Sequence, residues 1–144
     1  MSVFVKNDEY SDVKFYVKSD GPSVDVCNEK DYNDHPVPVK NLYEECHVSL
    51  RPLAWGESCD LQTNSTSVDM NIGRKIFDPD QYIKNKLRAV IAKWSFSTMN
   101  ADGVETPVAV SDASIDQLHQ KVADFLLGEY ARCFEMSDDD RKNS

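Results

Sequence analysis

The stretch F-D-P-D-Q-Y-I-K-N-K-L-R-A-V-I-A-K-W-S-F, residues 77–96, decides how the rest of the chain is read. Ile83, Leu87, Val90, Ile91 and Trp94 recur at three- and four-residue spacing, the pattern of one apolar stripe on a helix. Asp78 is placed to accept hydrogen bonds from the free N–H groups of the first turn. Pro79 loses nothing at the first helical position, where its missing N–H would have had no partner. Gln81 stands in capping-box register with Asp78. Lys84, Lys86, Arg88 and Lys93 occupy the other faces, mostly in the second half, where the negative end of the helix dipole favours cations. Such a helix must bury its stripe against something else in the chain.

On the C-terminal side, residues 97–103 read as a turn-rich link that reverses at Asn100-Ala101-Asp102-Gly103. Thr106 to Val110 is short, extended and apolar. Ser111 then caps a second amphipathic helix, with Asp112 in its first turn. Leu118, Val122, Phe125, Leu126, Tyr130 and Cys133 or Phe134 line its face, with a bend near Leu118-His119 and a weak point at Gly128. Residues 137–144, S-D-D-D-R-K-N-S, read as a disordered acidic tail.

On the N-terminal side the period changes from helix to strand. Cys46, Val48 and Leu50 alternate with His47, Ser49 and Arg51 up to Pro52, and Val13, Phe15 and Val17 alternate with Lys14, Tyr16 and Lys18. Asp20-Gly21-Pro22 is a turn signal before a returning strand over residues 24–27. Residues 28–40, with Pro36 and Pro38, read as a loop or edge segment. Trp55 is expected to be buried under the sheet, and Val68 to Ile76 gives only weak alternation broken by Gly73. The expectation is a single α+β domain over residues 1–136. Antiparallel strands occupy about residues 1–76, and two amphipathic helices, residues 77–136, pack against them.

Composition narrows the function. The chain has 144 residues and a formal net charge of −9, which disfavours non-specific binding to nucleic acid or anionic membrane. No run approaches the roughly 18 apolar residues of a membrane span, and the first ten residues lack the apolar core of a signal peptide. Cys27, Cys46, Cys59 and Cys133 are scattered without a C-x-x-C pair and are expected to be reduced thiols. His35, His47 and His119 sit in separate segments, so no metal or other cofactor is expected. No glycine-rich phosphate loop, nucleophile elbow or zinc-helix motif is present. The residues point away from an enzyme.

One ordered set of segments goes further. H-V-S-L-R-P-L-A-W-G-E (47–57), Y-I-K-N-K-L-R-A-V-I-A-K-W-S-F (82–96), D-G-V-E-T-P-V-A-V (102–110) and I-D-Q-L (115–118) together resemble small tailed-bacteriophage proteins of the tail assembly chaperone type. In that group a strand ending in an L-R-P-L-T-W-G-E-like segment precedes a helix closing in Lys-Trp, and a D-x-x-G-x-x-x-P-V turn leads into a final helix. The resemblance spans about residues 46–130 and does not reach the first 40.

It implies a host-cytoplasmic assembly factor that binds the tape measure protein, keeps it soluble, recruits tail tube protein as the tube polymerises, and is absent from the mature virion. Self-association into a homo-oligomer is compatible with that role. Phe125, Tyr130 and Phe134 are the expected client contacts, with Leu118, Val122 and Leu126 holding their helix to the domain. The alternative is a structural virion subunit of the tail tube or head–tail joint that adds its strands to a neighbour's sheet.

Overall fold

A computed structural model describes residues 3–5 and 9–135; the expected acidic tail at 137–144 lies outside the described residues. The fold is α+β, an N-terminal antiparallel sheet followed by helices. β1, Ser11–Asp20, and β2, Ser23–Asn28, form a hairpin in which Val17 faces Val26 and Asp20 faces Ser23. Its two-residue loop begins at Gly21 with φ 61, a left-handed conformation that only glycine adopts freely. β3, Glu44–Leu50, pairs with the other side of β1, Val13 opposite Val48. The alternation holds: Val13, Phe15, Cys46, Val48 and Leu50 are all buried.

Residues 28–40 depart from the expected loop. They form two short helices, α1 (Glu29–Asp34) and α2 (Val37–Lys40). Asn28 caps α1 by accepting the Asp31 N–H at 2.8 Å, and Pro36 and Pro38 sit at the start of α2, where an absent N–H leaves nothing unpaired. Tyr32 of α1 stacks on Tyr16 at 3.6 Å between centroids and covers it. Tyr16 is therefore buried although it lies on the sheet's outer face.

α3, Trp55–Asn64, leads into a hairpin of β4, Thr66–Asp69, and β5, Arg74–Phe77, which among the described residues pair only with each other. The ambiguity at 68–76 resolves as this hairpin, turned at Gly73 with φ 63. Trp55 corrects a second expectation. It is 84% exposed at the first position of α3 and lies under no sheet.

The organising helix is real but shorter than its stripe. α4 runs Pro79–Val90 and is capped as expected, with Asp78 Oδ1 accepting from the N–H groups of Asp80 and Gln81 at 3.1 Å each. Gln81 does not complete a capping box; its side chain donates to Asn85, while the Asp78 N–H donates to Ser65 O. From Ile91 the backbone turns extended, with ψ 115, and Ile91–Trp94 becomes β6, antiparallel to β3 with a bulge between Ser49 and Leu50. Lys93-Trp94, the helix end in the resemblance, thus lies in a strand. β3 would otherwise present an open edge, and Ile91 and Trp94 satisfy it at the cost of one helical turn.

The sheet order is β2-β1-β3-β6. After it, β7 (Ser97–Met99) and β8 (Glu105–Pro107) form a small hairpin around the reversal expected at 100–103. The last helix is divided near His119 as expected. α5 spans Asp112–Asp116, and α6, Gln120–Tyr130, starts with His119 Nδ1 accepting the Lys121 N–H. A wider π-type turn over Ala131–Glu135 follows. Gly128 lies inside α6, where the expected weak point does not interrupt the helix. One buried cluster joins the inner sheet face to Leu87, Val90 and Ile91, and to Ile115, Val122, Leu126 and Tyr130.

Candidate partner-binding surface

The residues expected to meet a client lie largely inside the domain's own packing. Tyr130 is 4% exposed, and its hydroxyl accepts the Leu53 N–H at 3.1 Å. Burial holds that phenol above its ordinary pKa. Phe134 is half-buried against Tyr130, with ring centroids 5.1 Å apart. Phe125 is half-buried and rests on the fully buried Phe15 ring at 5.1 Å. The expected exposure is corrected for Tyr130, while Phe125 and Phe134 keep part of their surface in solvent. The division between anchors and contacts fails because the face of α6 is broad: Val122 and Leu126 are buried as expected, but the aromatic positions beside them pack against the same core.

The cationic face of α4 is also engaged within the chain. Arg88 clasps Asp116 through two N–H donors at 2.9 and 2.5 Å, and Lys84 reaches the same carboxylate at 3.7 Å. Arg88, by its hydrogen bonds, and to a smaller extent Lys84 hold the Asp116 carboxyl below its ordinary range. Lys86 pairs with Glu135 at 2.5 Å and sits 5.0 Å over the Tyr130 ring, while Lys93 lies 5.3 Å over Tyr10. Lys84 and Arg88 tie α4 to α5, Lys86 ties it to the end of α6 and the turn after it, and Lys93 of β6 reaches Tyr10 instead.

What the chain leaves uncovered is elsewhere. Val68, Met70, Ile72, Ile76 and Phe77 of the β4–β5 hairpin are all exposed, and Ile83 continues the apolar surface onto α4. Phe77 contacts Tyr82 at 5.5 Å between ring centroids, which ties the end of the hairpin to the first turn of α4. Every residue from Asn71 to Asp80 is exposed. Among the described residues, Arg74 and Lys75 make no ion pair, so the hairpin adds two free cations to an acidic chain. A lone two-stranded hairpin is marginally stable in water; Val68 and Phe77 lie on one of its faces and Ile76 on the other, so both faces expose apolar side chains. Met70, Ile72 and Ile76 were the legible signal, since alternation bounded by Gly73 marks a hairpin; nothing in the sequence told that both its faces stay open.

Two of the clefts that flank the sheet differ in size and lining. The larger, about 900 Å³, lies between β1, α1 and α6 and is lined by residues of both charges together with Phe125. The smaller, about 270 Å³, opens beneath the N-terminal end of α6, with Val17, Val24, Phe96, Leu118 and Val122 in its walls. On the outer sheet face Glu45 is held below the usual carboxylate range by His47 and Lys14. Glu57 is lowered by Arg51, whose guanidinium meets it through two N–H donors. All four cysteines are free, and the buried Cys46 thiol is pushed up to about 11 by desolvation. Among the described residues no group of three or more His, Cys, Asp or Glu side chains converges as a metal site would, and no helix is long and apolar enough to cross a membrane. In comparisons with models of protein families, with curated proteins and with solved structures, nothing matches this chain.

Proposed function

We propose that this protein is a non-enzymatic assembly factor of the phage tail assembly chaperone type, which holds a long helical tape measure protein in solution and brings it tail tube protein in the host cytoplasm. The observation that carries the reading is the set of exposed apolar side chains between Val68 and Ile83, on the β4–β5 hairpin and the start of α4. An amphipathic client helix laid along it would bury side chains that the chain itself leaves in water, in the manner of helix-in-groove recognition. The net charge of −9 suits the role, because a charged carrier keeps an aggregation-prone client dispersed. The ordered segments from His47 to Leu118 add the resemblance. The client face moves from Phe125, Tyr130 and Phe134 to the β4–β5 hairpin.

Co-expression with the tape measure protein of the same gene cluster tests this. The client is expected to stay soluble and to co-purify with the parent chain, while a Met70→Ser, Phe77→Ser double variant loses the client without a change in thermal melt. Mass spectrometry of mature particles separates the alternative. A stoichiometric copy in virions marks a structural subunit and defeats the chaperone reading, as does a client that precipitates with the parent chain present.

A further inference from the structure

β1 outruns its hairpin partner. It has ten residues against six in β2, which stops at Asn28, opposite Phe15. Beyond that point the side of β1 that β2 would cover stands open. Hydrogen-bonding pairs alternate along an antiparallel ladder, and the neighbouring strands fix the phase. His47 O accepts the Ser95 N–H, and the Arg51 N–H donates to Val90 O, so the odd residues of β3 face the β6 side and its even residues face β1. Those even residues meet Val13 and Phe15 in register. The N–H and C=O groups of Asp12 and Lys14 therefore point away from β3, toward the missing strand. Among the described residues they make no hydrogen bond.

The space beside these groups is the cleft of about 900 Å³ between α1 and α6, with Val13 and Phe125 as its apolar part. Main-chain donors and acceptors at strand spacing match one class of ligand, a polypeptide in extended form that adds to the sheet. Side chains along the edge set its sequence. Lys14 and Asp12 point to the outer face two residues apart, and residues directly opposite each other on paired strands lie on the same face. Lys14 already meets Glu29 and Glu45, and Asp12 accepts from Ser49. On the α1 wall, Lys30 and Asp34 repeat the two signs one turn apart and make no ion pair among the described residues. We infer that this cleft takes an extended segment of a partner protein, which continues the line of β2 antiparallel to the open end of β1. An acidic residue then lies opposite Lys14, an apolar residue opposite Val13 and toward Phe125, and a basic residue opposite Asp12. Asn28 holds the place opposite Phe15, so the added strand begins at its acidic residue. The contact shares no residue with the β4–β5 hairpin and does not depend on the client reading.

The probe is the blocked pentapeptide acetyl-Glu-Val-Lys-Thr-Thr-amide, added to the full chain and followed by amide NMR and hydrogen exchange. The Asp12 and Lys14 amides are expected to exchange fast in the free chain, and to shift and slow as peptide binds. The dissociation constant is expected on the order of 0.1–1 mM, as befits a short segment held by a few main-chain bonds. Methylating the peptide's Lys N–H, which faces β1, is expected to weaken binding by about 10-fold or more, whereas methylating its Val N–H, which faces away, leaves binding unchanged. Exchanging Glu and Lys in the peptide is expected to weaken binding by about fivefold, and so is Lys30→Ala combined with Asp34→Ala, both at exposed positions. No response at Asp12 and Lys14 up to about 10 mM peptide, well above the expected constant, overturns the inference. So does equal binding of the peptide methylated at Lys or of the charge-exchanged peptide. Asp12 and Lys14 amides already protected in the free chain, as another copy or another segment of the chain in the cleft would make them, overturn it as well.

Discussion

Tyr130→Phe isolates one hydrogen bond that joins the end of the helical layer to the chain leaving the sheet. The ring keeps its contacts: Phe134 at 5.1 Å between centroids, and Lys86 at 5.0 Å over its face. Only the hydroxyl goes, and with it the acceptor for the Leu53 N–H at 3.1 Å. An unsatisfied buried donor costs about 1–3 kcal/mol. Leu53 is half-buried, so water recovers part of that, and about 1–2 kcal/mol is expected. For a chain of this size, that lowers the melting temperature by roughly 3–8 °C. Tyr130→Ala also empties the ring's place in the core and is expected to cost about 3–5 kcal/mol, as large-to-small aromatic changes do. Thermal melts of parent and both variants, with amide exchange at Leu53, make the assay. A Tyr130→Phe variant that melts within about 1 °C of the parent, far less than a lost buried bond predicts, and keeps Leu53 protected would refute the reasoning. By the same packing, changing Phe125 and Tyr130 together to Ser should unfold the domain, not abolish client binding selectively.

Three further outcomes are expected. Asp116 and Glu57 have folded pKa values below their ordinary 3.8 and 4.5, so the stability they contribute is present above those values and is lost as pH falls through the lower folded ones. An acid titration followed by circular dichroism should therefore show less loss of stability below pH 4 in Asp116→Asn than in the parent. Cys46, raised to about 11 by burial, should resist a thiol reagent at neutral pH until the protein is unfolded, and the stability its neutral form contributes should fade as pH climbs from 9 toward 11. Gly21→Ala should lower stability by about 1 kcal/mol through its positive φ alone, because nothing lies within 4 Å of the added methyl; an unchanged denaturation midpoint would contradict this.

Local physics was legible wherever neighbours in sequence decide the outcome. The alternation of Val13 and Phe15, and of Cys46, Val48 and Leu50, specified which strand face is buried, because side chains of a strand point to opposite sides whatever covers them. The cap at Asp78 and the restart at His119 are contacts within a single turn, and they stand where residue chemistry put them. What depended on a distant partner was not legible. Val90, Ile91 and Trp94 fit a helical stripe, yet β3 offered an open edge and drew Ile91–Trp94 into the sheet. Tyr130 looked as available to a client as to a core until Leu53 and Phe134 closed on it. Trp55 looked like core by size alone, but among the described residues no element folds over the start of α3. An apolar side chain carries the tendency to leave water; which surface it leaves water for is decided by tertiary structure, because burial is non-directional and the covering surface comes from elsewhere in the chain or from another molecule.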